Sequence, residues 1–370
     1  MDKTKISLRY CNTYKTDILD EILNKVLEPF DLVSKIKPNS KILIKPNLLG
    51  NYTPEQAITT HPSILEAVIK ILKNYGADIY LGDSPGNSLI GIQNIWETTG
   101  ISKLAKQYNV KLVNFEACGS QEFKTNITNI KSIHLSKILF DVDYIINVPK
   151  LKTHTLTGFS CGVKNLYGCV PGARKAEYHK LAPKKENFVF VLKEIYNILK
   201  DKILITIVDG IEGLEGNGPG INGDKRNYNG IFASTDSTVL DEFVLSLIDK
   251  NKTKQNFSEI EFIGDDLNKF NFDNVKLPST KLLYALPPAM TKLLIKCLGN
   301  FVWIKPYIDN KKCKKCAQCI KACPAKAVKI DKNKNLFVDF KKCISCFCCH
   351  ELCENKSIEI KISLLAKLFY

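Results

Sequence analysis

The sequence predicts an α/β fold in which a mainly parallel sheet carries helices on both faces, followed by a small α+β domain at the carboxyl terminus. Over residues 1–300, apolar strand-like runs alternate with longer amphipathic runs, which is typical of parallel sheets covered by helices. Nine of the fourteen cysteines fall between Cys313 and Cys353, which sets the last part of the chain apart. Polar residues also gather at the ends of several predicted strands, where open parallel sheets place their ligands.

The individual elements are predicted from the periodicity of apolar residues. The predicted strands are Ile6–Tyr10, Lys41–Lys45, Asp78–Leu81, Lys111–Phe115, Tyr144–Val148 and Ile203–Val208, with Ala327–Ile330 and Ser357–Ile360 in the terminal domain. The predicted helices are Asp17–Ile36, Pro62–Tyr75 and Phe188–Lys200. In the second helix, apolar residues recur at the spacing of one helical face from Ile64 to Leu72, and Gly76 follows its end.

We divide the chain into an α/β domain, a linker and two short repeats, over residues 1–280, 281–303, 304–333 and 334–363. Lys281–Ile308 is the most apolar long stretch, but two prolines and three lysines interrupt it, whereas a membrane-spanning helix needs about 20 nearly uncharged residues. The first residues lack a basic stretch followed by an apolar one, so no signal peptide is predicted. We therefore expect a cytoplasmic protein without a transmembrane segment.

Composition argues against a nucleic-acid partner. The chain has 53 basic and 38 acidic residues, but all the basic residues except Arg9, Arg174 and Arg226 are lysines. Proteins that read bases and phosphates favour the bidentate fork of arginine, so we expect no nucleic acid. In a reducing cytoplasm, fourteen cysteines indicate metal ligation rather than disulfide bonds.

The clustered cysteines form two copies of one spacing. The first run is Cys313, Cys316, Cys319 and Cys323, followed by Pro324, and the second run is Cys343, Cys346, Cys349 and Cys353. The spacing C-x2-C-x2-C-x3-C-P is typical of bacterial ferredoxins, in which the fourth cysteine of each run binds the other cluster. Pro306–Lys361 resembles these proteins and is expected to form a ferredoxin-like domain. A zinc site would need C-x2-C pairs with a longer spacer.

The predicted cofactors are therefore two [4Fe-4S] clusters, and the chain is expected to transfer single electrons. The expected ligands are Cys313, Cys316, Cys319 and Cys353 for one cluster and Cys343, Cys346, Cys349 and Cys323 for the other. Only Cys349 keeps the spacing, so its neighbour Cys348 is expected to be an unligated thiol. His350 is expected to lie near the cluster without binding iron.

Charge suggests the redox partner of the terminal domain. From Pro306 to Tyr370 the chain has 14 lysines against six acidic residues, whereas two loaded clusters with their thiolates add about −4. The domain stays basic, and complementary charge steers encounters between redox proteins. We expect an acidic redox protein, a ferredoxin or flavodoxin, as donor or acceptor, and the alternative is that this basic surface is solvated and has no partner.

Polar loops follow four of the predicted strands and are expected to converge on one crevice. Lysine ammonium groups and asparagine amides there would bind a carboxylate or phosphate, which predicts an anionic small-molecule substrate. The candidate substrate-binding residues are Lys45, Asn47, Lys150, Lys164 and Asn165. The candidate catalytic residues are His154, Asp83 and Lys152, with histidine favoured for proton transfer because its ordinary pKa is about 6.5. For each of them, a solvated or capping role is the alternative.

The α/β domain also resembles a known family. Lys45-Pro46-Asn47, Gly82-Asp83-Ser84, the Pro149–Gly168 stretch and Glu215-Gly216-Asn217-Gly218-Pro219 together resemble the family catalogued as domain of unknown function 362, over roughly Ile6–Asp241. Members of this family are often fused to a four-iron ferredoxin module, and the resemblance implies no established reaction.

Three functions stay open at this point. The leading interpretation is a reductase-like enzyme in which the terminal domain relays electrons into the crevice, and the alternatives are a non-enzymatic electron carrier and a protein that delivers clusters or metal. The spacing Gly218-x-Gly220-x-x-Gly223 does not indicate dinucleotide binding, because Pro219 occupies the loop and no amphipathic helix follows. A Walker A sequence is absent, so ATP-coupled reduction has no support. Cys161 and Cys169 are expected to be small buried residues, with a redox thiol as the alternative.

Overall fold

The computed structural model describes residues 3–86, 91–249, 257–281 and 303–364. The strands are β1 (Thr4–Tyr10), β2 (Lys41–Pro46), β3 (Asp78–Asp83), β4 (Lys111–Asn114), β5 (Ser120–Lys124), β6 (Ser132–Ser136), β7 (Tyr144–Val148), β8 (Lys150–His154), β9 (Gly158–Ser160), β10 (Ile203–Gly216), β11 (Gly223–Ser234), β12 (Ile260–Gly264), β13 (Ile304–Ile308), β14 (Val328–Ile330), β15 (Leu336–Val338) and β16 (Ile358–Ile362). The helices are α1 (Thr16–Leu27), α2 (Leu32–Lys35), α3 (Pro62–Asn74), α4 (Ile92–Thr98), α5 (Ile101–Tyr108), α6 (Ile138–Asp141), α7 (Gly162–Asn165), α8 (Arg174–Leu181), α9 (Lys185–Leu199), α10 (Ser237–Ile248), α11 (Gln318–Lys321) and α12 (Cys348–Glu351).

The largest sheet has ten strands among the described residues, and most of its pairs are parallel. Its order is β12-β1-β11-β10-β7-β2-β3-β4, with β8 paired to β10 and β9. The run from β10 to β4 is parallel throughout, and β11 is antiparallel to both β1 and β10. This topology confirms the predicted α/β fold class.

Both faces of the sheet are covered, as the near-continuous apolar strands require. On β2, Ile42 and Ile44 pack into a core that contains the apolar faces of α1, α3 and α5. Leu43 points to the opposite face and packs into a second core with α9. Because side chains alternate along a strand, β2 packs against the helices on both faces of the sheet.

Two predicted elements differ from the observed ones. The helix predicted over Asp17–Ile36 is divided into α1 and α2, because Pro29 starts a short 3₁₀ turn and Asp31 has a left-handed backbone (φ 44°). The sequence predicts a loop after β7, and this prediction is wrong over Lys150–His154, where the chain forms β8. Pro149 ends β7, and the chain then pairs with the outer half of β10, which extends past the predicted end at Val208.

The long hairpin of β10 and β11 carries the glycines that superficially match a dinucleotide motif. Gly218 and Gly220 lie in its turn and Gly223 begins β11, so a strand and not a helix follows them. The structure therefore agrees with the rejection of that motif.

The terminal domain consists of two small two-stranded sheets, β13 with β16 and β14 with β15, and two short helices. Its internal repeat is visible in the backbone: left-handed residues recur thirty positions apart, at Lys315 and Ser345 (both φ 54°) and at Ala317 and Phe347 (φ 61° and 60°). Residues 282–302, nearly all of the predicted linker, lie outside the described residues. In the part of the chain that the structure describes, the helices are too short or too polar to cross a membrane.

Candidate functional site

A cavity of about 280 Å³ lies where the carboxyl ends of β2, β3 and β8 meet the terminal domain. From the predicted site, its lining includes Asn47, Asp83, Lys152, His154, Lys164 and Asn165. Cys348, Glu351 and Leu352 of the terminal domain close the other side. The structure thus brings six of the eight residues predicted for the α/β domain to one cavity, which we call the crevice.

Asp83 and Lys45 form a buried ion pair in the crevice wall. Asp83 Oδ1 accepts hydrogen bonds from Lys45 Nζ (2.7 Å) and the Ser84 amide (2.9 Å), and Oδ2 accepts one from the Leu48 amide (2.9 Å). Lys45 Nζ also donates to the Pro46 carbonyl (3.0 Å). Lys45 is fully buried behind Asp83 and does not line the crevice, so the structure does not bring it to the predicted site.

A chain of amide side chains forms the crevice floor. Asn47 donates from Nδ2 to Asn165 Oδ1 (3.0 Å), and Asn165 donates from Nδ2 to Asn147 Oδ1 (2.8 Å). Lys152 Nζ donates to Asn47 Oδ1 (2.7 Å) and to the Ile58 carbonyl (2.8 Å). These bonds fix the orientation of both amides and of the Lys152 ammonium group.

Lys150, a predicted substrate-binding residue, lies outside the crevice. Its Nζ donates to Asp209 Oδ2 (2.9 Å) and to the Tyr14 hydroxyl (2.8 Å) in a separate buried cluster. Lys150, Lys152 and His154 share one face of β8, but a strand rises about 3.3 Å per residue, so Lys150 lies roughly 13 Å from His154. Only the last two reach the crevice.

His154 presents an N–H group to the crevice. Its Nδ1 accepts hydrogen bonds from the Leu156 amide (3.1 Å) and the Thr157 amide (3.4 Å). Because Nδ1 is an acceptor, the proton of the neutral ring is on Nε2. Burial, with Lys164 and Lys152 nearby, holds the pKa of His154 well below its usual value, so the neutral form is favoured.

Glu351, on α12 of the terminal domain, faces His154 across the crevice. Its Oε1 lies 3.5 Å from His154 Nε2, and neither atom has a hydrogen-bond partner among the described residues. Burial raises the pKa of Glu351 to about 7, although Lys164 and Lys152 act in the opposite direction. The sequence analysis missed this residue, because nothing in the local pattern shows that the terminal domain docks here.

Lys164 and Lys175 add positive charge to the crevice. The Lys164 ammonium lies 4.9 Å from the centre of the Tyr167 ring, and among the described residues it has no hydrogen-bond acceptor. Lys175, on α8, was also missed, and its Nζ hydrogen-bonds to Ser84 Oγ. Burial lowers the pKa of Lys164, that of Lys152 to about 7, and that of Lys175 to about 8. A bound anion would restore the charged form of these lysines.

The turn of the β10–β11 hairpin docks the terminal domain. His350 Nε2 lies 3.2 Å from the Asn217 carbonyl, its Nδ1 lies 2.7 Å from the Ile358 carbonyl, and Asn222 Nδ2 donates to the His350 carbonyl (3.1 Å). A Cβ atom added to Gly220 would lie 2.7 Å from the Glu351 carbonyl oxygen, so only glycine permits this approach. His350 is thus held by backbone carbonyls rather than aimed at a cluster.

Two smaller cavities in the terminal domain are each lined by four of the predicted ligands. One is lined by Cys313, Cys316, Cys319 and Cys353, and the other by Cys343, Cys346, Cys349 and Cys323. Among the described residues, no three His, Cys, Asp or Glu side chains are grouped closely enough to hold a single metal ion. Four cysteines around one cavity fit a cubane, whose sulfur ligands bind different irons.

Backbone donors lie beside the cysteines. The Ala327 amide donates to Cys323 Sγ (3.2 Å), and the Lys315 amide donates to Cys313 Sγ (3.4 Å). Hydrogen bonds to cluster sulfurs tune the reduction potential. Cys348 lines both the crevice and the cavity of the second cysteine set, so it forms the wall between them.

Comparison with known proteins covers both parts of the chain. The family described as domain of unknown function (DUF362) matches residues 42–246, and the 4Fe-4S dicluster domain matches residues 305–354. The thylakoid-associated protein sll1697 of Synechocystis sp. is 33% identical over 245 residues, which are 66% of this chain and 74% of that protein.

Among solved structures, the lactate racemase apoprotein from Thermoanaerobacterium thermosaccharolyticum matches with a TM-score of 0.39 and 16% sequence identity. The match covers 64% of this chain and spans 56% of the length of that protein.

Proposed function

The chain belongs to the DUF362 family and carries a 4Fe-4S dicluster domain, and from this premise we propose that it relays single electrons through two [4Fe-4S] clusters to an anionic small molecule in the crevice. An iron–sulfur domain supports a role in electron transfer. The finer statement, a reductase-like enzyme with its substrate in the α/β domain, is our proposal.

One observation carries this proposal: a single residue, Cys348, separates the crevice from the cavity of the second cysteine set. When bound there, a cluster supplies one electron at a time. Because the two cavities share a wall, a guest in the crevice would lie next to the electron source, and no diffusion between donor and acceptor would be needed.

The charge of the crevice supports an anionic guest. Lys152, Lys164 and Lys175 line it, and Lys164 has no acceptor among the described residues. A desolvated ammonium group without a hydrogen-bond acceptor is costly, and a carboxylate or phosphate would supply charge-assisted hydrogen bonds. A platform that only docks an electron carrier would not need such a cavity, which favours the enzyme over the carrier.

Lys152 supports proton transfer in the same place. Reduction of an organic substrate usually consumes protons as well as electrons, and the Lys152 ammonium lines the crevice with a pKa that burial lowers to about 7. The neutral His154 can donate a hydrogen bond from Nε2 to the substrate but is too weak an acid to supply the proton. Asp83 is less suited, because its carboxylate already accepts three hydrogen bonds from neighbouring groups.

Single-turnover oxidation tests the proposal. Cluster-loaded protein, reduced anaerobically, would be mixed with fractions of a metabolite extract while the recovery of cluster absorbance is followed. We expect at least one anionic fraction to oxidise the protein, and Lys164→Ala to slow this oxidation about tenfold or more, whereas the exposed control Lys106→Ala leaves it unchanged. Equal rates for both variants would favour the non-enzymatic carrier.

A further inference from the structure

Two buried polar atoms face each other in the crevice without forming a hydrogen bond. His154 Nε2 and Glu351 Oε1 lie 3.5 Å apart, and neither has a partner among the described residues. Buried polar atoms are paired in the large majority of cases, so each unpaired one calls for a physical explanation. Here the two atoms come from different domains and both border the same cavity.

Their chemistry is complementary to one kind of group. His154 Nε2 carries a proton, because Nδ1 accepts from two backbone amides, so Nε2 can only donate. A Glu351 carboxylate oxygen can only accept. A single atom that accepts one hydrogen bond and donates another would pair both, and a hydroxyl oxygen does this.

We propose that the crevice binds an anionic ligand that also carries a hydroxyl group, with the hydroxyl oxygen beside the pair, within hydrogen-bond distance of both His154 Nε2 and Glu351 Oε1, and the anionic end on Lys164. This inference rests on the proposed function and specifies its substrate class. Glu351, although it belongs to the terminal domain, is thus a substrate-binding residue of the crevice.

The charges around the pair fix the orientation of this ligand. A carboxylate or phosphate beside Glu351 would be repelled, whereas the Lys164 ammonium, which has no hydrogen-bond acceptor among the described residues, attracts it. A metal ion between His154 and Glu351 is disfavoured for the converse reason, because Lys152 and Lys164 both line the same cavity. The anionic end therefore lies toward the lysines and the neutral hydroxyl toward Glu351.

Binding to matched pairs of small acids tests this assignment. Calorimetry on the oxidised, cluster-loaded protein would compare glycolate with acetate, 3-hydroxypropionate with propionate, and 4-hydroxybutyrate with butyrate. The three chain lengths sample the separation between the hydroxyl and the carboxylate. In at least one pair we expect the hydroxy acid to bind about 10-fold to 100-fold more tightly, because the plain acid leaves both buried atoms unpaired.

Variants of Glu351 identify the atom responsible. Glu351→Met removes the acceptor at similar length and is expected to abolish the preference, whereas Glu351→Gln keeps an acceptor oxygen and is expected to retain part of it. Glu359→Met, an exposed change in the same domain, is the matched control and should retain the full preference. Iron content and cluster absorbance confirm that each variant is loaded.

The outcomes separate this inference from the proposed function. If plain and hydroxy acids bind equally, and Lys164→Ala weakens both, the crevice is an anion site and the hydroxyl assignment is overturned. A preference that persists in Glu351→Met, as it would if a water molecule alone paired the two atoms, also overturns it. If none of the acids binds, the hydroxyl assignment is overturned, whereas the proposed function is decided separately by the single-turnover oxidation.

Discussion

Exchange of Asp83 for Asn tests how the crevice wall is held together. The Asp83 carboxylate accepts hydrogen bonds from Lys45 Nζ, the Leu48 amide and the Ser84 amide, and the side chains of the ion pair are 0% and 3% exposed. Asp83→Asn would leave the Lys45 ammonium buried without a counter-ion and turn an N–H group toward other donors. We therefore expect the free energy of unfolding to fall by about 3–5 kcal/mol.

The same strand provides a matched control. Asp78 begins β3 and pairs with Lys111 at 2.7 Å, the same distance as the Lys45–Asp83 pair, but these side chains are 37% and 56% exposed. Asp78→Asn is expected to lower the free energy of unfolding by at most about 1 kcal/mol, because solvent screens an exposed pair. Both values would come from anaerobic urea unfolding followed by circular dichroism, with cluster absorbance recorded in parallel.

Two results would refute this reasoning. Equal losses of stability in the two variants would mean that burial does not set the strength of the Lys45–Asp83 pair. If Asp83→Asn left stability unchanged but abolished oxidation by substrate, Asp83 would act in the chemistry, as the sequence analysis expected, rather than in the wall.

Three further predictions concern the clusters, the redox partner and the anion. Reconstitution is expected to load about eight irons and eight sulfides per chain, unchanged in Cys348→Ser and lower in Cys349→Ser, and iron analysis showing the reverse would contradict the assigned ligands. Reduction by an acidic ferredoxin should slow as salt shortens the Debye length from about 10 to about 3 Å, and stopped-flow rates that ignore salt would exclude electrostatic steering. Acetate affinity should fall as the pH rises from about 6 to about 9, because Lys152 and Lys175, with a pKa of about 7 and about 8, lose their charge. Glu351, which faces Lys152 and whose pKa burial raises to about 7, becomes negative over the same range and adds to this trend, so rising affinity by calorimetry would contradict it.

The fold and the cysteine sets were predictable because each leaves a local signal. Strand and helix periods are visible in the sequence, and the α/β class that they predict is confirmed. The spacing of the cysteines predicted two groups of four, and the structure places each group around its own cavity. The convergence of Asn47, Lys152 and His154 followed from a general rule about the carboxyl ends of parallel strands.

The remaining site residues depend on contacts that no local pattern encodes. Lys150 has the same sequence signal as Lys152, and only the position of β8 along β10 places it beside Asp209 instead of the crevice. Lys175 reaches the crevice from α8, which lies beyond the polar loops at the strand ends. Glu351 could not be predicted as a crevice residue without knowing how the terminal domain docks.

Docking of the terminal domain decides what this fusion can do. A flexible linker alone raises the effective concentration of a tethered module to about the millimolar range, without fixing its orientation. Here the hairpin turn holds His350 through the Asn217 carbonyl, and Gly220 lets the Glu351 backbone approach. Asn217 belongs to the Glu215–Pro219 motif of the α/β domain and Gly220 adjoins it, so part of that motif forms the contact between the domains.

This contact distinguishes an enzyme from an electron carrier. A carrier that releases its electron to a free protein gains nothing from enclosing Lys164 and His154 behind the contact. An enzyme does, because the same contact brings Glu351 Oε1 to within 3.5 Å of His154 Nε2 and would hold the second cysteine set beside the guest.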